Sequence, residues 1–185
     1  VLVDGINVKE YPLETLREKI GVVPQKAVLF KGTIRENMKW GKEDATDEEI
    51  WEALEISQAK EFVEKKENGL DTMISQGGKN LSGGQRQRLT IARALVKKPE
   101  ILIMDDSASA LDFATDAKLR LAIGAMKEKL TVFIVSQRAA SIQYADQIVV
   151  LDDGHVAGIG THETLLADCP VYQEIYYSQF PKEEK

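Results

Sequence analysis

The sequence is poor in the features that mark secreted or membrane-spanning chains. It holds one cysteine, Cys169, among 185 residues, which excludes an internal disulfide and a cysteine-ligated metal cluster. We expect this thiol to pack near the surface in a reducing compartment. The longest apolar runs, such as residues 101–104 and 148–151, are far shorter than the roughly 18 residues of a membrane-spanning helix. The sequence therefore predicts neither a disulfide framework nor a membrane span.

Positive charge is also in short supply. The chain has 24 Lys and Arg against 30 Asp and Glu, a formal net charge of −6. A field of this sign repels the phosphate backbones of nucleic acids and anionic lipid surfaces. We therefore expect no nucleic-acid partner. The composition, 43% hydrophobic and 29% charged, is typical of a globular domain or of a piece of a larger one.

What is present is a set of short, β-branched apolar runs separated by helical patterns. The runs predict strands buried on both faces of a parallel sheet, at residues 20–23, 101–104, 132–135 and 148–151. Four capping residues and apolar periodicity predict helices at 46–65, from Ser82 to before Pro99, and at 114–130, 162–167 and 172–180. The caps are Thr46, which can form a capping box with Glu49, and Ser82, Asp112 and Thr161. We therefore predict an α/β core with a helical insertion over residues 26–98.

Two carboxylates follow one of these strands. The apolar run 101–104 leads directly into Asp105 and Asp106, so both acids emerge at the carboxyl edge of the sheet, where open α/β sheets bind ligands. Asp105 there could hold Mg²⁺, and Asp106 could address an attacking water. Acids also begin ordinary loops, so this pair alone leaves both interpretations open.

A second motif lies at a predicted helix start. Ser82 can cap the helix, Gly83 and Gly84 remove side-chain bulk, and the first backbone N–H groups point to the positive end of the helix dipole. Such a terminus can accept a phosphate. The alternative is a glycine-rich turn before a capped helix.

Taken together and in this order, the motifs resemble those of one family. The segment from Leu81 to Gln85, the Asp105-Asp106 strand and the segment from Ser109 to Asp112 resemble the nucleotide-binding domain of ATP-binding-cassette (ABC) transporters, in particular exporters. Residues 22–25 resemble the Q-loop of that family, and residues 76–78 and 160–163 match further segments of it. The resemblance covers essentially the whole chain.

The resemblance implies a fold and a domain layout. The fold is an α/β ABC ATPase core related to the P-loop NTPases, a mainly parallel sheet flanked by helices, with an α-helical subdomain. Residues 1–25 would form a core piece with the Q-loop, 26–98 the helical subdomain with the signature, and 99–185 the rest of the core. The phosphate-binding Gly-x-x-x-x-Gly-Lys-Ser/Thr loop and the adenine-stacking aromatic residue are absent. We expect truncation at the N-terminus rather than evolutionary loss, and weak ATP·Mg²⁺ binding by the fragment alone.

The resemblance also implies residue roles. Asp105 matches the Walker B magnesium ligand, and Gln25 matches the side chain that helps to ligate Mg²⁺. The signature, Ser82, Gly83, Gly84 and Gln85, would close over ATP held by a second nucleotide-binding domain in a head-to-tail dimer, with Asp112 as the D-loop acid at that seam. Spacing alone does not show that the signature acts across a dimer. Residues 30–38 resemble the patch beside the groove that receives helices of the transmembrane domains.

Two catalytic positions depart from the family. Asp106 replaces the usual glutamate, and Gln137 replaces the switch histidine. The only histidines, His155 and His162, lie late in the chain, where we expect structural roles. Paired departures of this kind resemble the degenerate-site subunit of a heterodimeric exporter on the cytoplasmic side of the cell membrane. The alternatives are a non-hydrolytic regulatory or dimerisation module and a soluble ABC ATPase that acts on nucleic acid or ribosomes.

Overall fold

The structure, a computed structural model, describes residues 1–107, 109–126 and 130–181. The chain forms two compact units, Val1–Val135 and Ser136–Lys185. Within the described ranges, no helix combines the length and the apolar character needed to cross a membrane.

The first unit alternates short strands and helices. Its strands are β1 (Leu2–Val3), β2 (Ile6–Asn7), β3 (Ile20–Val23), β4 (Gly32–Thr33), β5 (Met73–Ile74), β6 (Ile101–Asp105) and β7 (Thr131–Val135). Its helices are α1 (Leu13–Lys19), α2 (Ile34–Lys39), α3 (Asp47–Ile56), α4 (Lys60–Glu64), α5 (Gly83–Leu95) and α6 (Phe113–Gly124). Short 3-10 turns lie at Gly69–Asp71 and Gln76–Gly78. The helix predicted at 114–130 ends earlier than expected, and residues 127–129 lie outside the described part of the chain.

The main sheet of this unit is parallel, as the sequence predicts. The strand order is β3-β6-β7, so β6 lies in the middle, with Val23 opposite Met104 and Met104 opposite Ile134. The expectation that both faces are buried is wrong. Leu102 and Met104 point into the core, whereas Val22, Phe133 and Val135 are more than half exposed on the other face. The β-branched runs give strand propensity, but they do not show which face is covered.

Helix α5 is the central element of the helical region. It contacts α2, α3 and β3, and its residues Leu89, Ile91 and Leu95 are buried in one core with residues of those elements. This packing stabilises a helix whose sequence is otherwise rich in arginine and glutamine. The buried helix body fixes the position of its N-terminus, where Ser82 lies.

The helix predicted at 46–65 is broken into α3 and α4. The capping box of Thr46 and Glu49 forms as predicted. The break falls at Gln58, whose φ of 62° is in the left-handed region. The Gln58 side chain donates to the carbonyl of Glu55 at 3.1 Å, and the N–H of Ala59 donates to the carbonyl of Leu54 at 2.7 Å. These bonds satisfy the last carbonyls of α3 and end it.

The second unit is a hairpin covered by helices. It consists of α7 (Ala139–Ile142), β8 (Ile148–Asp152), β9 (His155–Gly160), α8 (His162–Asp168) and α9 (Pro170–Gln179). Strand β8 pairs antiparallel with β9 and joins no parallel sheet in the described ranges, so the prediction of a fourth parallel strand is wrong. The predicted surface position of Cys169 is also wrong. The thiol is buried because Gly158 leaves room for it: a Cβ at Gly158 would lie 2.9 Å from the cysteine sulfur.

Candidate functional site

The candidate site begins at the carboxyl edge of the parallel sheet. Asp105 is the last residue of β6, and Gln25 follows the neighbouring strand β3 by two positions. The side-chain amide Nε2 of Gln25 donates to Oδ2 of Asp106 at 3.3 Å. The fold thus joins two residues that are 81 positions apart. Because both strands are parallel, their carboxyl ends meet at one edge, as the sequence predicts.

Asp106 is held in an uncommon backbone conformation. Its φ is 42°, a left-handed value that aspartate tolerates better than most residues. Its N–H donates to the carbonyl of Val135 at 2.8 Å, and its own carbonyl accepts from the Ser109 hydroxyl at 2.8 Å. Bonds on both sides fix the peptide, so the carboxylate leaves the sheet edge in one direction, toward Gln25.

The donor atoms at this edge fit Mg²⁺. The carboxylate of Asp105 is exposed at the end of its strand, and the Gln25 amide uses its nitrogen on Asp106, which leaves its oxygen as the acceptor. Carboxylate and amide oxygens are hard ligands of the kind that Mg²⁺ prefers. Among the residues that the structure describes, no group of three or more His, Cys, Asp or Glu side chains is arranged to hold a metal ion. The edge therefore suits an ion that takes its other ligands from water and phosphate.

The second part of the site is the start of α5. Ser82 is the N-cap, and its Oγ accepts from the N–H of Gln85 at 3.2 Å. The Gln85 side chain in turn accepts from the N–H of Ser82 at 3.0 Å. This reciprocal capping box occupies both polar side chains. The N–H groups of Gly83 and Gly84 have no intrahelical acceptor by position, so they are the donors available to an anion.

The start of α5 lies against the segment that leads into α6. A Cβ placed on Gly84 would lie 3.4 Å from the carbonyl oxygen of Ala110 and 3.9 Å from a methyl group of Leu111. The sequence-predicted signature and the segment before Asp112 are therefore in contact within one chain.

Asp112 itself caps helix α6. Its two carboxylate oxygens accept from the backbone N–H of Thr115 at 2.9 Å and from the Thr115 hydroxyl at 2.8 Å. These hydrogen bonds lower the pKa of Asp112 below its usual value. The sequence predicts this residue both as a cap and as a D-loop acid. The structure confirms that Asp112 caps α6, whereas its role as a D-loop acid stays a prediction.

Gln137 belongs to the second unit. Its side chain is exposed, and its backbone carbonyl accepts from Nε2 of Gln179 at 2.7 Å. The Gln179 side chain also accepts from the N–H of Ala139 at 3.0 Å, so it ties the start of α7 to α9. The role of Gln137 at the switch position stays a prediction.

The two histidines make contacts within the same unit. The ring of His155 lies 3.0 Å from the carbonyl oxygen of Asp153, in the hairpin turn. Nδ1 of His162 lies 2.9 Å from the hydroxyl of the buried Tyr172. Both contacts fit the structural roles that the sequence suggests.

Only part of the segment 30–38, which resembles the patch beside the transmembrane groove, is exposed. Ile34 is fully buried in the core, so it contributes nothing to a surface. Phe30 is exposed, and its ring lies 4.8 Å from that of Trp40, which is also exposed. Val28 and Met73 are further exposed apolar residues of the first unit. Trp40 lies outside the predicted segment, although a tryptophan just after a short capped helix is a usable signal in the sequence.

Arg88 on α5 is a further residue beside the site, and the sequence motifs do not mark it. Its guanidinium donates through Nη1 to the carbonyl oxygen of Gln58 at 2.7 Å. The acceptor is a backbone carbonyl 30 positions away, which no side-chain pattern reveals. The broken helix at Gln58 creates this contact, and that break is itself absent from the sequence signal.

Comparisons with known proteins identify the family to which the chain belongs. The family profile described as ABC transporter matches residues 1–109, more than half of the chain. An uncharacterized ABC transporter ATP-binding protein of Mycobacterium tuberculosis is 48% identical over 97% of this chain and 31% of its own length. The ATP-dependent lipid A-core flippase of Haemophilus ducreyi is 42% identical over 97% of this chain and 31% of its own length.

The comparison with solved structures points to the same family. The structure of a bacterial Atm1-family ABC exporter with ATP bound superposes with a TM-score of 0.92 at 35% identity, covering 98% of this chain and 32% of that one. The chain belongs to the ABC transporter family, and its α/β fold is the ABC ATPase fold. It spans about a third of the length of the relatives that it matches.

Proposed function

We propose that this chain is the ATP-binding domain of an ABC exporter. In this role it lies on the cytoplasmic side of the membrane, attached to transmembrane domains, and couples ATP binding and hydrolysis to transport. The observation that carries the proposal is the edge formed by Gln25, Asp105 and Asp106, joined by the 3.3 Å hydrogen bond. The similarity to an ATP-bound exporter over nearly the whole chain supports it.

The side chains divide the work at this edge. Asp105 and the Gln25 oxygen would hold Mg²⁺, which when bound screens the negative charge of the nucleotide phosphates. Asp106 accepts a hydrogen bond from Gln25, and in hydrolysis it would accept the proton of the attacking water. Its side chain is about 1.5 Å shorter than that of glutamate. A misplacement on the order of 1 Å can cost about 10²-fold in rate, so we infer a slow site.

The signature serves a different site in this proposal. The free N–H groups of Gly83 and Gly84, with the Ser82 cap, would close over ATP held by a second nucleotide-binding domain. Gln137 cannot become cationic as histidine can, which further weakens this chain's own site. We therefore infer a heterodimer in which this chain completes the active site of a partner that retains glutamate and histidine.

A second candidate is a non-hydrolytic regulatory module. Asp106 and Gln137 favour it, because they stand at the two positions where the family usually has glutamate and histidine, and both replacements weaken hydrolysis at this chain's own site. The ATPase rate of the complete transporter, measured with this subunit alone and with its partner, separates the two candidates. Turnover that needs both subunits supports the proposed function.

The decisive test compares the two sites in the assembled pair. We expect Ser82→Ala or Gly84→Asp to abolish ATP hydrolysis by the complete transporter, because each removes or blocks the anion-binding helix start. Asp106→Asn should change the rate little, because the fast site uses the partner's base. Expression level and assembly on the membrane are the controls. Loss of hydrolysis in Asp106→Asn, with activity kept in Ser82→Ala, would reject the heterodimer assignment.

A further inference from the structure

The Arg88 side chain contacts two backbone carbonyls and one aromatic ring near the start of α5. Besides its 2.7 Å bond to the carbonyl of Gln58, its Nε lies 3.4 Å from the carbonyl oxygen of Gly84, one turn earlier in the same helix. The guanidinium carbon also lies 5.0 Å from the ring centroid of Phe62 on α4, a cation–π distance. One side chain thus contacts the signature, the end of α3 and helix α4.

The acceptor on the α3 side is rigidly held. Gln58 has a left-handed φ of 62°, and its side-chain Nε2 donates to the carbonyls of Glu55 and Ile56 at 3.1 and 3.3 Å. A planar guanidinium with several donors can bridge two fixed carbonyls at once. A lysine ammonium could bind one of these two carbonyls, but it would not hold the other carbonyl in a fixed direction.

The electrostatic surroundings of Arg88 link it to the segment before α6. Burial lowers the pKa of the Arg88 guanidinium, and the charges of Asp112 and Glu61 oppose that shift. Gly84, whose carbonyl faces Arg88, lies against Ala110 on its other side. Gly84 therefore contacts both the Arg88 guanidinium, through its carbonyl, and the segment that leads to Asp112.

We propose that Arg88 is a positioning residue, which fixes the direction of the Ser82–Gln85 helix start relative to the corner between α3 and α4 and to the segment ending at Asp112. This inference rests on the proposed function, in which the signature must reach a nucleotide on another domain. A helix start that can tilt would present its N–H groups in the wrong direction when the two domains close.

The test uses Arg88→Ala and Arg88→Lys in the complete transporter with its partner. We expect Arg88→Ala to lower kcat for ATP hydrolysis on the order of 10²-fold, the cost of a misplacement of about 1 Å. KM for ATP should change little, because binding to the open partner domain does not use the signature. Arg88→Lys keeps the charge and one donor, so it should recover part of the lost rate.

Arg93→Lys is the matched control on the same helix. Arg93 is also half-buried, donates to the carbonyl of Val28 at 2.9 Å and lies 5.6 Å from the Phe30 ring centroid. Burial lowers its pKa as it does for Arg88. We expect both lysine variants to lower Tm, measured for each purified transporter, and only Arg88→Lys to lower kcat.

The outcomes separate the inference from the function on which it rests. Suppose that Ser82→Ala abolishes hydrolysis, whereas Arg88→Ala, assayed at temperatures below its own Tm, has the same kcat as the unmodified transporter. Arg88 is then merely structural, and the inference is overturned. If Arg93→Lys lowers kcat as much as Arg88→Lys, positioning by Arg88 is equally overturned. A complete transporter that hydrolyses no ATP at all would overturn the proposed function and the inference with it.

Discussion

Ser107 follows the two carboxylates of the candidate site and has a buried hydroxyl. The residue is 3% exposed, and its Oγ has no hydrogen-bond partner in the described part of the chain. A buried polar group without a partner costs about 1–3 kcal/mol of desolvation. We expect Ser107→Ala to raise the free energy of unfolding by about 1 kcal/mol. The measurement is the urea midpoint of the 185-residue chain, with an unchanged m value.

Ser57 is the control for this prediction. It is also fully buried, but its hydroxyl donates to the carbonyl of Leu54 at 3.1 Å. Ser57→Ala should therefore lower the free energy of unfolding by about 0.5–1.5 kcal/mol, the usual net contribution of an intramolecular hydrogen bond. If Ser107→Ala destabilises the chain as much as Ser57→Ala does, the Ser107 hydroxyl has a partner in solution.

Residue chemistry at the sheet edge was more predictable than residue contacts within the helical region. The sequence places Asp106 at the sheet edge, and the family resemblance selects Gln25. The structure brings the two together because parallel strands end at one edge. Arg88 could not be placed, because its partners are backbone carbonyls. A carbonyl is present at every residue, so the sequence does not mark which one is free to accept.

At the scale of the element, the cap of α6 makes a pH-dependent contribution to stability. Two hydrogen bonds from Thr115 lower the pKa of Asp112 below its unfolded value, which is about 3.9. A lowered folded-state pKa adds stability that is fully present above the unfolded pKa and is lost as the pH falls through the folded one. Asp112→Asn keeps a capping side chain without the charge. We expect this variant to be less stable at neutral pH and equal to the original chain in acid.

Urea unfolding of both proteins from about pH 7 down to about pH 2 measures this difference, because the two stabilities converge only as the pH falls through the lowered folded-state pKa. Thr115→Val is a useful companion, because it removes the hydroxyl donor and keeps both the backbone N–H and the β-branched shape. Thr115→Val should reduce the pH-dependent part of the free energy of unfolding without removing it, because the backbone N–H still donates to Asp112. A stability difference between Asp112→Asn and the original chain that stays constant over the whole pH range would contradict the assignment.

Helix starts and helix breaks differ in how well the sequence predicts them. Thr46, Ser82, Asp112 and Thr161 all cap helices in the structure, because an N-cap depends on one local side chain. The break at Gln58 has no such signal. Glutamine has no special preference for a positive φ, and tertiary contacts such as that of Arg88 hold it there. For this reason the prediction of a single helix over residues 46–65 is wrong.

At the scale of the whole molecule, the two faces of the parallel sheet differ sharply. Leu102 on β6 is 0% exposed, whereas Phe133 on the neighbouring strand β7 is 57% exposed. Ile103 is the partner of Phe133 in the register, so Leu102 lies on the opposite face. A sequence of apolar, β-branched strands is compatible with either face being covered. The covering elements decide the exposure, and the strand residues do not encode them.

This asymmetry predicts different effects of one substitution at two sites. Phe133→Thr should leave the free energy of unfolding within about 0.5 kcal/mol, because surface substitutions rarely exceed that, and threonine suits a strand. It should also raise the solubility of the 185-residue chain, because it removes part of an exposed apolar face. Leu102→Thr should cost at least about 2 kcal/mol, because it leaves a cavity and buries a hydroxyl. Urea midpoints measure stability, and light scattering at increasing concentration measures solubility. Equal loss of stability in both variants would mean that the Phe133 face is covered in solution, and it would contradict the open sheet face seen here.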